Sequence, residues 1–127
     1  MEFPPQLRFS TDHEWVALDG ARGRVGITDY AQDALGDVVY VELPALGLEV
    51  LAHAACAEVE STKSVSEIYA PLSGRIVAVN DGLTEAPELV NQDPYGSGWI
   101  FEIELVDPEA ANGLLDAESY RKLVEEG

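Results

Sequence analysis

The sequence of 127 residues predicts a mainly β domain, a sandwich carrying short helices at its periphery. Three observations predict it. Short runs rich in Val, Ile, Tyr and Phe recur between clusters of Gly, Pro, Asn and Asp. Residues 99–105 set Trp99, Phe101, Ile103 and Leu105 on one face against Ile100, Glu102 and Glu104 on the other, the period of a half-buried strand. Helix-start signals open only short segments.

Taken in order, Phe9–Leu18 begins with a polar turn and enters a strand holding Trp15 and Val16. Asp19-Gly20 turns the chain, and Arg24–Ile27 returns beside it, giving an N-terminal meander. Thr28 is an N-cap for a helix of about two turns, with Tyr30, Ala31, Ala34 and Leu35 on one face and Gly36 at its end. Asp37–Glu42 is apolar at nearly every position, which fits a strand covered on both faces or a sandwich corner, and Pro44 ends it. Another strand follows the Gly47 turn.

Ala54–Glu60 and Val65–Tyr69 read as paired strands. Ser61, Thr62, Lys63 and Ser64 lie between them, and small hydroxyl residues favour local turn hydrogen bonds, so Lys63 stands at a hairpin tip. Ala70–Gly74 is a turn and Arg75–Asn80 a further strand, stopped by Asn80-Asp81-Gly82. Gly36, Val38, Val39 and Val41 match Gly74, Ile76, Val77 and Val79 at a spacing of 38 residues. The match fits two similar half-sheets flanking the lysine hairpin; repeated turn-strand chemistry gives the same pattern. Leu83–Gly98 reads as a long surface loop. Asp107-Pro108-Glu109 opens a short helix that Gly113 ends, and a C-terminal helix follows Asp116 with Tyr120, Leu123 and Val124 as its apolar stripe.

Composition bounds the function. A length of 127 residues with 46% apolar content fits a single domain, 1–127, with a core at about 7–125 and the lysine hairpin at about 54–70. No apolar run reaches membrane-spanning length, and the N-terminus lacks the basic and apolar segments of a signal peptide, so a cytoplasmic location is expected. The single cysteine, Cys56, agrees with a reducing compartment and reads as a packed strand residue. Twenty-four acids against seven bases give a formal charge of −17, which repels nucleic acid and anionic membrane. The same charge suits partners with positive docking patches, and it equally suits plain solubility.

No Walker loop, Gly-x-Ser-x-Gly elbow or zinc spacing is present, so neither a self-contained enzyme nor a metal site is expected. Trp15 and Trp99 read as core residues rather than cofactor contacts. The chain has two lysines, Lys63 and Lys122. Glu58, Glu60 and Glu67 near Lys63 favour its protonated form, which suits a lysine acylated by another enzyme better than a Schiff-base nucleophile. Acylation would turn it into a long neutral arm with a high effective concentration at a docked active site.

Gly36-Asp37-Val38-Val39, Glu60-Ser-Thr-Lys63-Ser and Ala70-Pro-Leu-Ser-Gly74-Arg-Ile-Val together resemble the lipoyl-attachment pattern. His13-Glu-Trp-Val, Gly26-Ile-Thr-Asp-Tyr-Ala-Gln-Asp-Ala-Leu-Gly-Asp and Asn91-Gln-Asp-Pro-Tyr-Gly-Ser-Gly-Trp99 are similar to the H-protein family of the glycine cleavage system, over about Leu7 to Glu125. The resemblance implies a barrel-sandwich hybrid, lipoyl-domain-like, of two antiparallel sheets with short peripheral helices including a C-terminal helix.

It also implies a monomeric, non-catalytic carrier with lipoate joined covalently to Lys63. Such a carrier shuttles the aminomethyl group of glycine from a pyridoxal-phosphate glycine decarboxylase to a tetrahydrofolate-dependent aminomethyltransferase. A flavin dihydrolipoamide dehydrogenase reoxidises it, and lipoate-attaching enzymes load it. By position in the family pattern, Asp12, Glu14 and Glu67 are candidates to line a cleft for the loaded arm, and Glu60 to be recognised during lipoylation. Two rivals stay open: a lipoyl carrier serving another complex, and a lipoate-relay protein.

Overall fold

The computed structural model describes residues 1–126. Nine strands form two antiparallel sheets. The first meander is β1 (Arg8–Phe9), β2 (Glu14–Asp19) and β3 (Arg22–Ile27), and α1 (Asp29–Leu35) follows. Then come β4 (Val38–Glu42), β5 (Glu49–Val50), β6 (Ala55–Ser61), β7 (Val65–Tyr69) and β8 (Gly74–Val79). Two helical turns, α2 (Gly82–Glu85) and α3 (Leu89–Gln92), lead into β9 (Phe101–Leu105). A 3-10 turn at Pro108–Gly113 and α4 (Ala117–Glu126) complete the described chain. The larger sheet has the order β1-β2-β3-β9-β8-β5 and the smaller β4-β6-β7, so neither closes into a barrel.

The sheets face each other across one core, in which Val25, Val59, Ile76, Phe101 and Ile103 are almost completely buried. A second apolar cluster of Leu7, Phe9, Trp15 and Tyr120 fills the space between the outer face of the meander and α4. Strand β2 is therefore covered on both sides, with Val16 in one cluster and Trp15 in the other. Gly26 makes this possible, because a Cβ there would lie 2.7 Å from the Trp15 indole. No helix among the described residues is long and apolar enough to cross a membrane.

Local signals held where they were complete. Thr28 caps α1 by accepting from the Ala31 N–H at 3.1 Å, and Asp107 and Asp116 cap the 3-10 turn and α4 by accepting from Glu109 N–H and Ser119 N–H. The 38-residue repeat is present in three dimensions as well. Strands β4 and β8 lie in different sheets, and their ladders shift register at matching points, between Val38 and Tyr40 and between Ile76 and Ala78. Each shift is the signature of a bulge.

Four expectations need correction. The stretch 37–42 is not covered on both faces: Val39 and Tyr40 are 51% and 52% exposed, because the bulge turns consecutive residues outward on an edge strand. Residues 83–98 are not simply a surface loop, since α2 and α3 send Leu83 and Val90 fully into the core. Ile100 is buried rather than facing solvent. It precedes the regular strand, its N–H reaching Val25 O and its carbonyl accepting from Asn80, so strand alternation does not govern it. On α4 Tyr120 is buried but Leu123 is 39% exposed, since the helix rests on the meander chiefly through Tyr120.

Candidate functional site

Lys63 stands at the exposed tip of the β6-β7 hairpin, where Ser61 organises the turn. The Ser61 Oγ accepts from the N–H groups of Lys63 and Ser64 at 3.3 and 3.1 Å, and the Ser61 N–H donates to Ser64 O at 2.8 Å. Thr62 N–H donates to Asp37 O at 3.0 Å, which ties the tip to the start of β4. No ion pair within 4 Å engages Lys63 among the described residues, so its ammonium is accessible.

The lysine stem lies over Gly36. That glycine ends α1 at φ 83°, and a Cβ on it would lie 3.1 Å from Lys63 Cε, so the position needs both left-handed freedom and an empty face. Asn91 of α3 holds the platform from below. Its Oδ1 accepts from Val38 N–H at 2.9 Å, while its Nδ2 donates to Gly36 O at 2.9 Å and Gln32 Oε1 at 3.0 Å. Asn91→Ala strands these backbone groups and is expected to cost about 2–3 kcal/mol in urea denaturation. A loss under about 0.5 kcal/mol, the ordinary surface value, would show the platform does not depend on it.

A cleft of about 210 Å³ runs beside the hairpin between α1 and β7, lined by Asp12, His13, Tyr30, Ala31, Leu35 and Glu67 among others. Leu35 is next to the glycine under Lys63, so the cleft starts near the lysine. Glu67 lies four residues along β7, about 13 Å away if extended. Asp12 is half exposed and sits 3.9 Å from His53 Nδ1. His13 is held in a left-handed backbone at φ 70° with its Nδ1 2.8 Å from the Tyr120 hydroxyl, and burial lowers its pKa against a raising effect from Asp12.

Glu14 is placed differently from its neighbours in the candidate set. It does not line the cleft but is buried behind it, accepting from Ser10 Oγ at 2.7 Å and from the Tyr69 N–H at 3.2 Å. Burial pushes its carboxyl up to about 8, and the two hydrogen bonds pull the other way. Its side chain thus joins the end of the meander to the edge strand that carries Glu67. Glu60 lies on the outer face of the small sheet, paired across strands with Tyr40 and Val65, and is not in the lining of the cleft, which Glu67 reaches from that face because β7 is the edge strand. On the same face Glu42, Glu58 and Glu67 stand in one row across three strands. The Glu58 pKa is raised, first by the hydrogen bond its protonated carboxyl donates to Glu42 and further by the like charges of Glu42, Glu67 and Glu60.

Cys56 bonds weakly to Ile68 O at 3.6 Å, and burial pushes its thiol up to about 12, as befits a packed strand residue. Trp15 is buried and donates to Pro94 O at 2.9 Å; Trp99 is half-buried beneath the Arg24 guanidinium, 4.4 Å from its ring. Sequence reasoning assigned no site role to Ser61, Asn91 or the His13 ring. Asn91 and His13 lay inside conspicuous motifs, but nothing local marks a side chain whose partners are 53 to 107 residues away.

One accessible lysine on a braced hairpin tip, beside a cleft with carboxylates in its wall, defines a carrier domain, a scaffold that presents a modifiable side chain. The family model described as "Glycine cleavage H-protein" matches residues 7–127. Glycine cleavage system H protein from Micrococcus luteus is 61% identical over 119 residues, covering 92% of this chain and 93% of that protein. The namesake from a Geobacillus species is 48% identical over the full length of both. The crystal structure of a glycine cleavage system H protein from Mycobacterium marinum superposes with a TM-score of 0.84 at 41% identity, covering 94% of this chain and 96% of that one. The chain belongs to the glycine cleavage H-protein family.

Proposed function

We propose that this single domain, 1–127, is the lipoyl-lysine carrier of a glycine cleavage system, with lipoate joined through an amide to Lys63 Nζ. A pyridoxal-phosphate glycine decarboxylase loads it with the aminomethyl group of glycine. A tetrahydrofolate-dependent aminomethyltransferase unloads it, a flavin dihydrolipoamide dehydrogenase reoxidises it, and lipoate-attaching enzymes prepare it. The chain works as a cytoplasmic monomer and supplies no catalytic group of its own. The observation that carries the reading is Lys63, without an ion pair among the described residues, its stem lying over Gly36 next to Leu35 in the lining of a cleft walled by Asp12 and Glu67.

The residues fit a lipoyl group. Gly36 leaves space for the lysine stem, the Ala31 and Leu35 side of the cleft is apolar, and the far wall is acidic. Bound lipoate would supply a disulfide able to take up an aminomethyl group and become reduced. Asp12 and Glu67 favour the ammonium form of the cargo amine, which has no lone pair with which to expel the sulfur. Glu14 keeps Glu67 in the wall by holding the Tyr69 amide two residues on. Glu60, beside the tip but outside the cleft, is left free for recognition by the lipoate-attaching enzyme.

Incubation with a lipoate-attaching enzyme, ATP and lipoate is expected to give one adduct of lipoyl mass, on the peptide containing Lys63. An adduct elsewhere, or none, refutes the reading. In the loaded protein, Glu67→Gln is expected to speed loss of the amine about tenfold, the effect of lowering its pKa by one unit. An unchanged decay rate would take Glu67 out of the cleft's chemistry.

A further inference from the structure

We propose that His13 is a hydrogen-bond donor in this cleft, presenting the Nε2–H of a neutral imidazole to an acceptor atom of the bound arm, with Tyr120 of α4 as the positioning residue that fixes its tautomer. The proposal rests on the carrier reading. Its starting point is the placement of the ring. His13 N–H donates to Ser10 O at 3.2 Å and His13 O accepts from Thr28 N–H at 3.0 Å, so its left-handed backbone is fixed on both sides. The ring packs on Tyr30 with centroids 4.9 Å apart and lines the cleft with Asp12 and Glu67.

Counting protons gives the tautomer. The Thr28 hydroxyl is fully buried, accepts from Ala31 N–H, and lies 2.8 Å from the Tyr120 hydroxyl. No other side-chain hydrogen bond engages it among the described residues, so its one proton goes to Tyr120. The Tyr120 proton then points to His13 Nδ1, 2.8 Å away. The reverse order would leave a buried hydroxyl proton with no acceptor, an arrangement that folded interiors avoid. His13 Nδ1 is therefore the acceptor, and a neutral ring carries its hydrogen on Nε2. The lowering of the His13 pKa by burial agrees with a neutral ring.

Nε2 has no partner among the described residues, and no buried side-chain nitrogen or oxygen there is unpartnered, so Nε2 is open to the cleft. The wall thus divides its labour. Asp12 and Glu67 accept, as an ammonium needs, while His13 donates, as the amide oxygen or a sulfur of the arm needs. The arm offers no other acceptor. Because Tyr120 belongs to α4, the C-terminal helix sets the hydrogen-bonding character of a cleft built from three distant segments.

Nitrogen-detected NMR of the histidine rings tests this on the whole protein before and after lipoylation. In the unmodified chain at neutral pH the expected state is unprotonated Nδ1 with a proton on Nε2. After lipoylation, exchange of the Nε2 proton with solvent is expected to slow about tenfold, the protection one hydrogen bond confers. Tyr120→Phe keeps the ring stacked on Phe9 and removes the donor, so the preference for the Nε2–H tautomer is expected to fall about tenfold. A protonated Nδ1 in the wild-type chain, or an unchanged exchange rate once Lys63 carries its adduct, overturns the proposal. Intact mass is recorded first: absence of a Lys63 adduct removes the carrier reading and this proposal together, whereas an adduct with the wrong tautomer removes the proposal alone.

Discussion

Lys63→Arg is expected to abolish acylation completely while leaving the fold intact. The tip side chain is exposed and makes no ion pair within 4 Å among the described residues, so the substitution should shift stability by less than about 0.5 kcal/mol. The Ser61 turn and the Thr62 to Asp37 bond are made by main chain and serine and do not involve the lysine ammonium. Arginine keeps the positive charge and most of the stem over Gly36, but its guanidinium stays protonated and cannot serve as the acyl acceptor. Intact mass after incubation with a lipoate-attaching enzyme should show unmodified protein. Lys122 is the only other lysine; it sits on α4 as an i,i+4 partner of Glu118 at 3.9 Å, with no hairpin around it. A lipoyl adduct on the arginine variant would move the attachment site to Lys122 or the N-terminus and defeat the assignment.

Glu14→Gln is expected to make the protein more stable than its parent at alkaline pH and nearly equal to it in acid. Burial raises the folded-state pKa of Glu14 from 4.5 to about 8. The folded chain therefore holds a proton that the unfolded chain has lost, and stability falls as pH rises through that window. Below it both states are protonated and Glu14 contributes no slope. Above it both are ionised, and the full cost of a buried carboxylate is present, up to about 5 kcal/mol by linkage. Glutamine keeps an oxygen for Ser10 or the Tyr69 N–H and has no proton to lose. Urea denaturation of both proteins at about pH 5 and about pH 9 isolates the effect, because other titrating groups cancel in the difference. An equal difference at both ends would mean that Glu14 ionises normally in the folded chain.

Much of this architecture was legible in the residues because its determinants are local. Thr28 capping α1, Asp107 with Pro108 opening the 3-10 turn, and the serine-flanked Lys63 tip each depend on partners within a few positions. The small sheet's exposed Val39 and Tyr40 were harder, since a bulge changes which face a residue takes without changing its chemistry. Leu83 and Val90 were hidden in a segment whose Pro, Gly and Asn content signals a loop, and only the packing of α2 and α3 on the main core decides that they go inside. The site divides in the same way. Asp12 and Glu67, named by position in the family pattern, line the cleft near Lys63, but the burial of Glu14 follows from Ser10 and the end of β7 meeting at its carboxyl, and the role of Asn91 follows from α3 meeting the end of α1.

The row Glu42, Glu58 and Glu67 sets three carboxylates directly opposite one another with no lysine or arginine among them. Like charges in register oppose strand pairing, and dissolved ions screen that repulsion. The same ions also weaken the attraction of this face for any positively charged surface. Ionic strength therefore acts on the molecule in two opposite senses: it steadies the isolated carrier and slows its encounters. A buffer chosen for the longest shelf life is for that reason the wrong one in which to judge how fast the protein finds its partners.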